Sequence, residues 1–449
     1  MRVLFTQTNT YPLLYPLPVG PALVAQRLQR DGHEVRFVDL MRERDPVATA
    51  RQAAQEFRPD LACFSVRNRD NMMQSRYFDP MPGIAAVVRT VRDAAPVPSL
   101  LGGTAFTTFP KRVLDALGAD YGIAGDDLEP ISRFVGSLAA GSPDLGTPGL
   151  VYRNAGGTVI ENPFRIVGYR HVAFDHHAFV DRARYRRGFW QAAVVTRTGC
   201  PEHCAYCDTF HTFGREFILR DPGAVAEEIL AMKRAGTARS VYLVDAGFNR
   251  PLEHAKEVLR EIIRRGAQVR LYGILDPGPA DREFFRLFRR AGGSMFTVFA
   301  ESLADPVLQE LGKSFRVADI LRDAQTMREE GIGFMFMPTF GSPGETRETV
   351  AETLRLLPAL KPIFCDANMG WRIQPRTPLR ERAVREGLIR ADDDCWEPHF
   401  YISPETPKDW LEAELRAFRR RHPFLSWRIV PFMAREMVGR PWKRGPEAA

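Results

Sequence analysis

The first 140 residues alternate short apolar runs with segments whose apolar residues recur every three or four positions. Such runs indicate strands, and the segments between them indicate amphipathic helices. This alternation predicts an α/β fold with a parallel, doubly wound sheet, whose ligands bind beyond the carboxyl ends of the strands. The predicted strands are Val3–Thr6, Val35–Val38, Leu61–Val66, Ser99–Leu101 and Tyr121–Ile123.

Residues 141–190 begin with a turn-rich stretch, and Val151–Asn162 is predicted as a hairpin within this linker. Residues 191–385 again alternate strands and helices. Six βα units fit a partial (β/α)₆ barrel, although a second open sheet fits the pattern equally well. The predicted strands are Ala192–Thr196, Ser240–Val244, Val269–Ile274, Met295–Phe299, Gly333–Phe340 and Ala367–Ile373. Residues 386–449 are predicted as a small helical C-terminal region with a basic tail.

Composition narrows the classes of protein. The 449 residues are 45% hydrophobic and 26% charged, which excludes a mainly disordered chain. The net charge of +7 is spread among 55 acidic residues, so a nucleic-acid partner is not expected. The chain has no uncharged apolar run of about 18 residues that could span a membrane, and its first residues are typical of a strand rather than a signal peptide. We therefore expect a cytoplasmic protein.

Three of the six cysteines fall on one short segment. Cys200, Cys204 and Cys207 are spaced C-x₃-C-x₂-C directly after a predicted strand. Three thiolates on one loop can bind three irons of a cubane iron–sulfur cluster and leave the fourth iron open. The alternatives are a zinc site completed by His203 or His211, and three unrelated buried thiols.

This segment resembles the signature of the radical S-adenosylmethionine (SAM) superfamily, C-x₃-C-x-aromatic-C at the end of the first barrel strand. The resemblance implies a [4Fe–4S] cluster whose open iron binds SAM, and reductive cleavage of SAM to a 5′-deoxyadenosyl radical. It also implies that Tyr206 packs on the adenine. The alternative is a tyrosine of the protein core.

Further segments resemble the same superfamily. Glu301, in Ala-Glu-Ser, is expected to contact the ribose or methionine part of SAM, or else to form a surface salt bridge. Asp245 stands where a Glu usually contacts the methionine amino group, and Gly341 lies in a segment whose backbone approaches the adenine. Lys313 also fits the family pattern, but we expect an exposed lysine at a helix end instead.

The amino-terminal region resembles the Rossmann-like cobalamin-binding domain that precedes many radical SAM domains. The resemblance rests on Tyr15–Asp39, Leu100–Thr104 and Ala119–Glu129. The small residues after the fourth strand would give room to the macrocycle or its nucleotide tail. These residues are Gly102, Gly103 and Thr104. No G-x-G-x-x-G follows the first strand and no Walker A motif is present, so NAD and ATP sites lack their usual signal.

The loop after the third strand would face the lower side of the corrin. Its predicted contacts are Ser65, Arg67 and Asn68. The chain lacks the Asp-x-His-x-x-Gly motif whose His ligates cobalt, so we expect cobalamin without a protein His ligand. Arg67 is expected near cobalt, which a cationic guanidinium would not ligate, or else paired with Asp70.

Other chemistry-bearing residues have weaker signals. Cys365 opens the sixth barrel strand and is a candidate catalytic thiol, although free cysteines are usually small buried residues. Four residues at or near strand ends are candidate substrate contacts: Tyr272, Asp276, Trp371 and Arg372. The sequence identifies no general acid or base.

The four predicted parts are a cobalamin-binding domain at 1–140, a linker at 141–190, a radical SAM barrel at 191–385 and a C-terminal extension at 386–449. The resemblance implies C-methylation of an unactivated carbon of a small molecule, through the adenosyl radical and methylcobalamin, with a flavodoxin- or ferredoxin-type electron donor. The alternatives are rearrangement chemistry such as ring contraction or cyclisation, modification of RNA or a peptide, and a non-catalytic cobalamin sensor.

Overall fold

The structure, a computed structural model, describes residues 1–10, 16–41, 43–167, 179–181, 185 and 192–423. Its first part is a seven-stranded sheet in the order β2-β1-β3-β4-β5-β6-β7. The first five strands are parallel, as the apolar pattern predicted. The strands are β1 (Arg2–Gln7), β2 (Glu34–Asp39), β3 (Leu61–Ser65), β4 (Ser99–Gly102), β5 (Tyr121–Ile123), β6 (Leu150–Arg153) and β7 (Val159–Glu161).

Both faces of this sheet are covered by helices, which confirms the doubly wound fold. Val3 and Phe5 of β1 pack into one core, whereas Leu4 packs into the core on the opposite face. Strands buried on both faces read as continuous apolar runs, which is why they were recognisable in the sequence. The helices are Val19–Arg30, Pro46–Phe57, Met81–Ala94, Thr104–Thr108, Pro110–Leu117 and Leu128–Ala139.

The predicted hairpin forms, and it belongs to the first sheet. β6 pairs antiparallel with β5, and β7 pairs with β6, so this sheet continues into the region predicted as a linker. Helix Leu128–Ala139 was not predicted. Its signal is Asp127, whose carboxylate accepts from the backbone N–H of Glu129 and caps the helix.

The second part is a sheet of six parallel strands whose spatial order equals their chain order. Because the strand order never reverses, the crossovers all run in one direction, which fits the partial barrel rather than a second doubly wound sheet. The six strands are β8 (Ala192–Val194), β11 (Ser240–Leu243), β12 (Arg270–Leu275), β13 (Gly293–Glu301), β14 (Gly333–Phe340) and β15 (Phe364–Cys365).

The prediction of the sixth strand at Ala367–Ile373 was wrong, because the strand of the sheet is Phe364–Cys365 and the predicted range is divided into shorter pieces. Short β16 (Asn368–Met369) pairs with β14, and after Gly370, which has φ = +73°, β17 (Trp371–Arg372) leaves the sheet. β17 pairs antiparallel with β18 (Phe400–Tyr401). A positive φ interrupts the extended backbone, so one predicted strand is several short pieces.

Five helices cover the barrel close to the ranges that the apolar pattern predicts, 222–235, 252–265, 280–291, 317–331 and 346–357. Three short helices were not predicted: Thr209–Phe213, Asp305–Glu310 and Pro378–Arg385. The helix Lys408–Arg421 packs Leu411, Leu415 and Phe418 into the barrel core. No helix in the described ranges combines the length and apolar character needed to cross a membrane. The basic tail beyond residue 423 lies outside the described residues. The other helices are Thr209–Phe213, Pro222–Arg234, Leu252–Arg264, Arg282–Arg290, Asp305–Glu310, Val317–Glu329, Arg347–Leu360 and Pro378–Arg385.

Candidate functional site

The cysteine loop lies between the two strands of an antiparallel ribbon, β9 (Arg197–Thr198) and β10 (Ile218–Leu219). Its path is determined by two close backbone approaches. Gly199 has φ = +83°, and a Cβ there would lie 1.8 Å from the carbonyl oxygen of Glu216. Gly312 has φ = +68°, and its Cβ would lie 2.6 Å from the carbonyl oxygen of His203. Neither position tolerates a side chain, so the loop is held at both flanks.

The three thiols are free and partly buried. Burial raises the pKa of all three, that of Cys204 to about 12. The Cys207 thiol donates to Oγ1 of Thr209 at 3.1 Å.

The donor set fits an iron–sulfur cluster better than zinc. No three Cys, His, Asp or Glu side chains in the described part of the chain converge on a single-ion site. In a cubane, each thiolate binds its own iron, so the sulfurs stand farther apart than ligands of one ion. Both candidate histidine ligands have other partners: His203 Nδ1 contacts Arg215 and His211 Nε2 contacts the carbonyl of Arg376, each at 3.1 Å.

Asp245 is buried and holds the start of the cysteine loop. Its carboxylate accepts from the backbone N–H of Thr196 at 2.8 Å and of Arg197 at 3.2 Å, and from the Thr196 hydroxyl at 2.5 Å. Burial raises the pKa of Asp245, and the nearby guanidinium of Arg197 opposes this. Three donors already occupy the carboxylate. Its predicted contact with the amino group of SAM remains a prediction.

Arg197 was not singled out in the sequence, where nothing distinguishes it from the many surface arginines. Its side chain is buried and donates to the backbone carbonyls of Arg250 at 2.5 Å, Gly247 at 2.7 Å and Gly199. The guanidinium stacks 4.5 Å from the Phe217 ring. A rigid donor fork that joins three carbonyls fastens the root of the cysteine loop to the segment after β11.

Glu301, Tyr206 and Lys313 form one network at the end of β13. The Tyr206 hydroxyl donates to Glu301 at 2.7 Å, and Lys313 Nζ donates to that hydroxyl at 2.8 Å. Lys313 is 6% exposed and Glu301 5%, with 3.5 Å between them. The expectation of an exposed lysine was wrong, because Lys313 turns inward to this carboxylate. For Glu301, the surface salt bridge is replaced by a buried ion pair.

Glu301 has φ = +71°, a backbone conformation that costs a non-glycine residue about 1–3 kcal/mol. Its other oxygen accepts from the Thr339 hydroxyl at 3.2 Å. The Tyr206 ring is stacked 3.9 Å from that of Trp371. The predicted SAM contacts of Tyr206 and Glu301 stay predictions.

Gly341 lies in a loop closed by Glu345. The buried Glu345 carboxylate accepts from the backbone N–H groups of Gly341 and, at 3.2 Å, of Ser342, and burial raises its pKa to about 8. A Cβ on Gly341, whose φ is +82°, would approach Ile402 to 3.1 Å. The Trp371 indole donates to the Ser342 hydroxyl at 2.9 Å, so this candidate substrate contact is part of the core.

The predicted cobalamin residues are brought together at the carboxyl ends of β3 and β4. Ser65 pairs in register with Gly102. The N–H of Val66 donates to the Gly102 carbonyl at 2.8 Å. Gly103 has φ = +101°, and a Cβ there would lie 2.6 Å from the Val66 carbonyl, so this close backbone approach requires a glycine. Thr104 is exposed and begins the next helix.

Arg67 and Asn68 are exposed at this edge, and neither side chain has a polar partner within the described residues. The protein mass around Arg67 still lowers the pKa of its guanidinium. Asp70 binds Arg372 instead, so the alternative in which Arg67 pairs with Asp70 was wrong. Exposed, unpartnered donors beside small residues fit a large ligand that carries many amide oxygens.

The predicted cobalamin residues at the ends of β3 and β4 lie close to the cysteine loop. Helix Thr104–Thr108 contacts helix Thr209–Phe213, which begins two residues after Cys207. His33 lies at the amino end of β2, beside the Met1 ammonium and on the opposite edge of the sheet. The structure therefore places the predicted cobalamin residues next to the cysteines. His33 lies away from both regions, in line with the expectation of no His ligand to cobalt.

Cys365 and Asp276, predicted as a catalytic thiol and a substrate contact, both contact other residues of the protein. Cys365 packs against the core beneath helix Lys408–Arg421 and not into the barrel interior. Asp276 pairs with Arg250 at 3.2 Å. Both side chains therefore have protein contacts, and the roles predicted for them stay predictions.

Comparison with known proteins gives two domain matches. The family model of the Radical SAM superfamily matches residues 194–357, and that of the B12 binding domain matches residues 13–135. The chain is 25% identical to tryptophan 2-C-methyltransferase from Streptomyces laurentii, in an alignment that covers 82% of this chain and 73% of that protein. It is 23% identical to hopanoid C-3 methylase from Methylococcus capsulatus over 68% of its length and 58% of that protein.

A solved structure has the same fold. It is that of the radical SAM methyltransferase TsrM from Kitasatospora setae, with cobalamin and a [4Fe–4S] cluster bound. The TM-score is 0.81 at 23% identity, and the alignment covers 93% of this chain and 90% of TsrM. The likeness therefore extends through both domains and their mutual arrangement.

Proposed function

Because this chain belongs to the cobalamin-dependent radical SAM enzymes, we propose that it transfers a methyl group to an unactivated carbon of a small-molecule substrate. The observation that carries the proposal is the contact of the two candidate cofactor regions, where helix Thr104–Thr108 adjoins the helix after Cys207. A methyl donor and a hydrogen-abstracting centre must reach the same carbon, and these regions lie side by side.

The three cysteines would hold the cluster through three irons and leave one iron for SAM. SAM would lie among four residues: Tyr206, Asp245, Glu301 and Gly341. Most of them would act by holding in place the loops that contact SAM. When bound, the cluster with SAM supplies hydrogen-atom abstraction, and cobalamin supplies the methyl group.

On the other side, the exposed edge of the first sheet would hold cobalamin without a protein His ligand. The small side chains at the end of β4, those of Gly102, Gly103 and Thr104, would leave room for the cofactor. Arg67 has N–H donors and no lone pair to give to a metal. The residues at this edge are Ser65, Arg67, Asn68, Gly102, Gly103 and Thr104.

Relatives support methylation of a small molecule. Those at 25% and 23% identity are named as a tryptophan and a hopanoid methylase. Tryptophan is therefore the first substrate to test. The one-electron cleavage of SAM also requires a reduced donor, which we propose is a flavodoxin or ferredoxin.

The test begins with protein purified without oxygen and reconstituted with iron, sulfide and hydroxocobalamin. After removal of unbound cofactor, we expect cluster and cobalamin in near one-to-one ratio. With substrate and reductant, each methylation should consume two SAM molecules and give equal amounts of S-adenosylhomocysteine and 5′-deoxyadenosine.

A cluster without cobalamin would contradict the proposal. S-adenosylhomocysteine and methylated product without 5′-deoxyadenosine would show methyl transfer without hydrogen abstraction. 5′-Deoxyadenosine with an unmethylated, rearranged product would favour the rearrangement class.

A further inference from the structure

The ribbon formed by β17 and β18 has two faces that meet different parts of the molecule. The strands pair antiparallel, with Trp371 opposite Tyr401 and Arg372 opposite Phe400. Successive residues of a strand point to opposite sides, and residues paired across two strands point to the same side. Trp371 and Tyr401 therefore share one face of this ribbon. Arg372 and Phe400 share the other face.

The face with Arg372 meets the loop after β3, in the B12-binding domain. The guanidinium of Arg372 pairs with Asp70 at 2.8 Å, and each of these side chains is only 2% exposed. The second Asp70 oxygen accepts from the Met72 N–H at 2.8 Å. Beside this pair, Phe400 lies edge-on to Tyr77, with 6.2 Å between the ring centres. A buried ion pair is costly to separate, so it anchors the ribbon to the other domain.

The face with Trp371 meets the residues predicted to lie around SAM. The Trp371 ring stacks on Tyr206, and its indole N–H donates to the Ser342 hydroxyl at 2.9 Å. Tyr206 belongs to the cysteine loop, and Ser342 follows Gly341 in the loop after β14. Tyr401 belongs to the same apolar cluster as Trp371, and Tyr206 packs against that cluster. One side chain of the ribbon therefore contacts both loops.

The ribbon is also tied to the cysteine loop farther along the chain. The backbone N–H of Leu379 donates to the carbonyl of Ala205 at 2.9 Å. The carbonyl of Arg376 lies 3.1 Å from Nε2 of His211, on the helix that follows the cysteines. The segment that begins with β17 therefore runs from the loop after β3 to both ends of the cysteine loop.

We infer that Trp371 and Arg372 are positioning residues, which couple the binding of SAM to the B12-binding domain. Arg372 anchors β17 to Asp70, and Trp371 holds the cysteine loop and the loop after β14. Adjacent residues share one planar peptide unit, so Arg372 cannot be displaced without Trp371. The inference rests on the proposed function, which places SAM between these two loops.

Loss of the Asp70–Arg372 pair would leave the ribbon held by the barrel alone. Trp371 would then lose its fixed position between Tyr206 and Ser342. SAM would bind more weakly, because its binding would have to order both loops. We expect the dissociation constant for SAM to rise by at least about fivefold, the lower end of the usual coupling between two sites.

The test uses the full-length protein reconstituted with its cluster. Equilibrium dialysis measures the dissociation constant for SAM, and the EPR spectrum of the reduced cluster reports SAM on the open iron. The double variant Asp70→Asn/Arg372→Gln removes both charges of the buried pair, so neither charge is left without its partner. We expect this variant to load the cluster as the wild type does, but to bind SAM more weakly.

A second variant tests whether the effect passes through Trp371. Trp371→Phe keeps a ring beside Tyr206 and loses the donor to Ser342, so it should also weaken SAM binding. Added to the double variant, it should cause no further loss, because both changes act through the same side chain. Losses that multiply would overturn the inference, since the two residues would then act independently.

Asp366→Asn is the matched control. It breaks another ion pair between the domains, that of Asp366 with Arg76 at 2.7 Å, which lies outside the ribbon and is more exposed. SAM affinity and the EPR spectrum should stay unchanged. Equal weakening by Asp366→Asn would overturn the inference, because domain contact in general would then be responsible.

Two further outcomes would contradict the inference. One is wild-type SAM affinity in the double variant Asp70→Asn/Arg372→Gln. The other applies if that variant does not fold, in which case Trp371→Phe decides, and an unchanged dissociation constant for SAM overturns the role of Trp371.

This inference and the proposed function fail separately. A wild-type protein that holds the cluster and binds SAM but takes up no cobalamin would overturn the proposed methyl transfer. It would leave this inference standing, because the SAM measurements need no cobalamin. An enzyme that methylates its substrate, but whose SAM affinity does not depend on the Asp70–Arg372 pair, would overturn this inference alone.

Discussion

The two candidate cofactor regions are built in opposite ways. In the barrel, the acidic residues that the sequence singled out are buried and already hydrogen-bonded to the protein: Asp245 to Thr196 and Arg197, and Glu301 to Tyr206 and Lys313. On the first sheet, Arg67 and Asn68 are exposed and unpartnered in the described structure. The barrel residues therefore have partners that hold loops in place, whereas Arg67 and Asn68 are accessible to a ligand.

The proposed function would account for this difference. A cluster loop must keep three sulfurs in place against solvent, so its supports are buried carboxylates and a buried arginine. A flat macrocycle with many amide groups needs accessible hydrogen-bond donors and small side chains beside them. Substitutions should therefore cost stability in the barrel and only binding on the first sheet.

The largest effect is expected from Cys204→Ala. Loss of one of three thiolates should abolish cluster binding and SAM cleavage, whereas the first sheet should still take up cobalamin. Iron content and cobalamin absorption of the same sample measure both. Cys365→Ala is the matched control and should keep the cluster. Loss of cobalamin along with the cluster would show that the two regions are not independent.

Lys313→Met leaves the Glu301 carboxylate buried without its cation. Breaking a buried pair in this way should lower the free energy of unfolding by about 3–5 kcal/mol, measured by urea denaturation. The double variant Lys313→Met/Glu301→Gln should recover much of that loss. If the double variant is as unstable as the single one, the ion pair is not what stabilises this end of β13.

Glu345 gives the barrel a pH dependence. Its folded-state pKa of about 8 is above the ordinary 4.5, so the unfolded state releases its proton first as the pH rises. Stability should therefore be highest below pH 4.5 as far as this group is concerned, and fall by up to about 1.4 kcal/mol per pH unit until pH 8. Glu345→Gln should remove this decline, and an unchanged slope in unfolding titrations would contradict the assignment.

Asp245→Asn keeps one oxygen acceptor but removes the charge beside Arg197. We expect a loss of about 1–3 kcal/mol in unfolding free energy and reduced cluster loading. Asp221→Ala removes a helix cap elsewhere in the barrel, at a cost of about 1 kcal/mol, and should not change cluster loading. Equal cluster loading in the two variants would argue against a role for Asp245 in holding the cysteine loop.

The smallest effect on stability is expected at the first sheet. Arg67→Gln replaces an exposed side chain without a partner, so the unfolding free energy should change by no more than about 0.5 kcal/mol. Thermal unfolding of the cofactor-free protein measures this. A large destabilisation would mean that Arg67 supports the fold and would remove the contrast between the two regions.

The sequence by itself determined the five parallel strands of the first sheet and the first five strands of the barrel, because strands buried on two faces are continuous apolar runs. It misplaced the sixth barrel strand, and it identified the cysteine loop through its spacing. It did not distinguish a barrel from a second open sheet, since strand order is a long-range property, and it missed helix Leu128–Ala139 despite the cap at Asp127.

Only the tertiary structure decided which charged residues are buried together. The sequence around Lys313 is typical of a surface lysine, but in the fold Lys313 is buried beside Glu301. Arg372 belongs to the barrel, and its partner Asp70 lies in the other domain, 302 positions away in the sequence. A charge pattern along a chain carries no record of such partners. Both pairs are buried only in the folded protein, Lys313–Glu301 within the barrel and Asp70–Arg372 between the two domains.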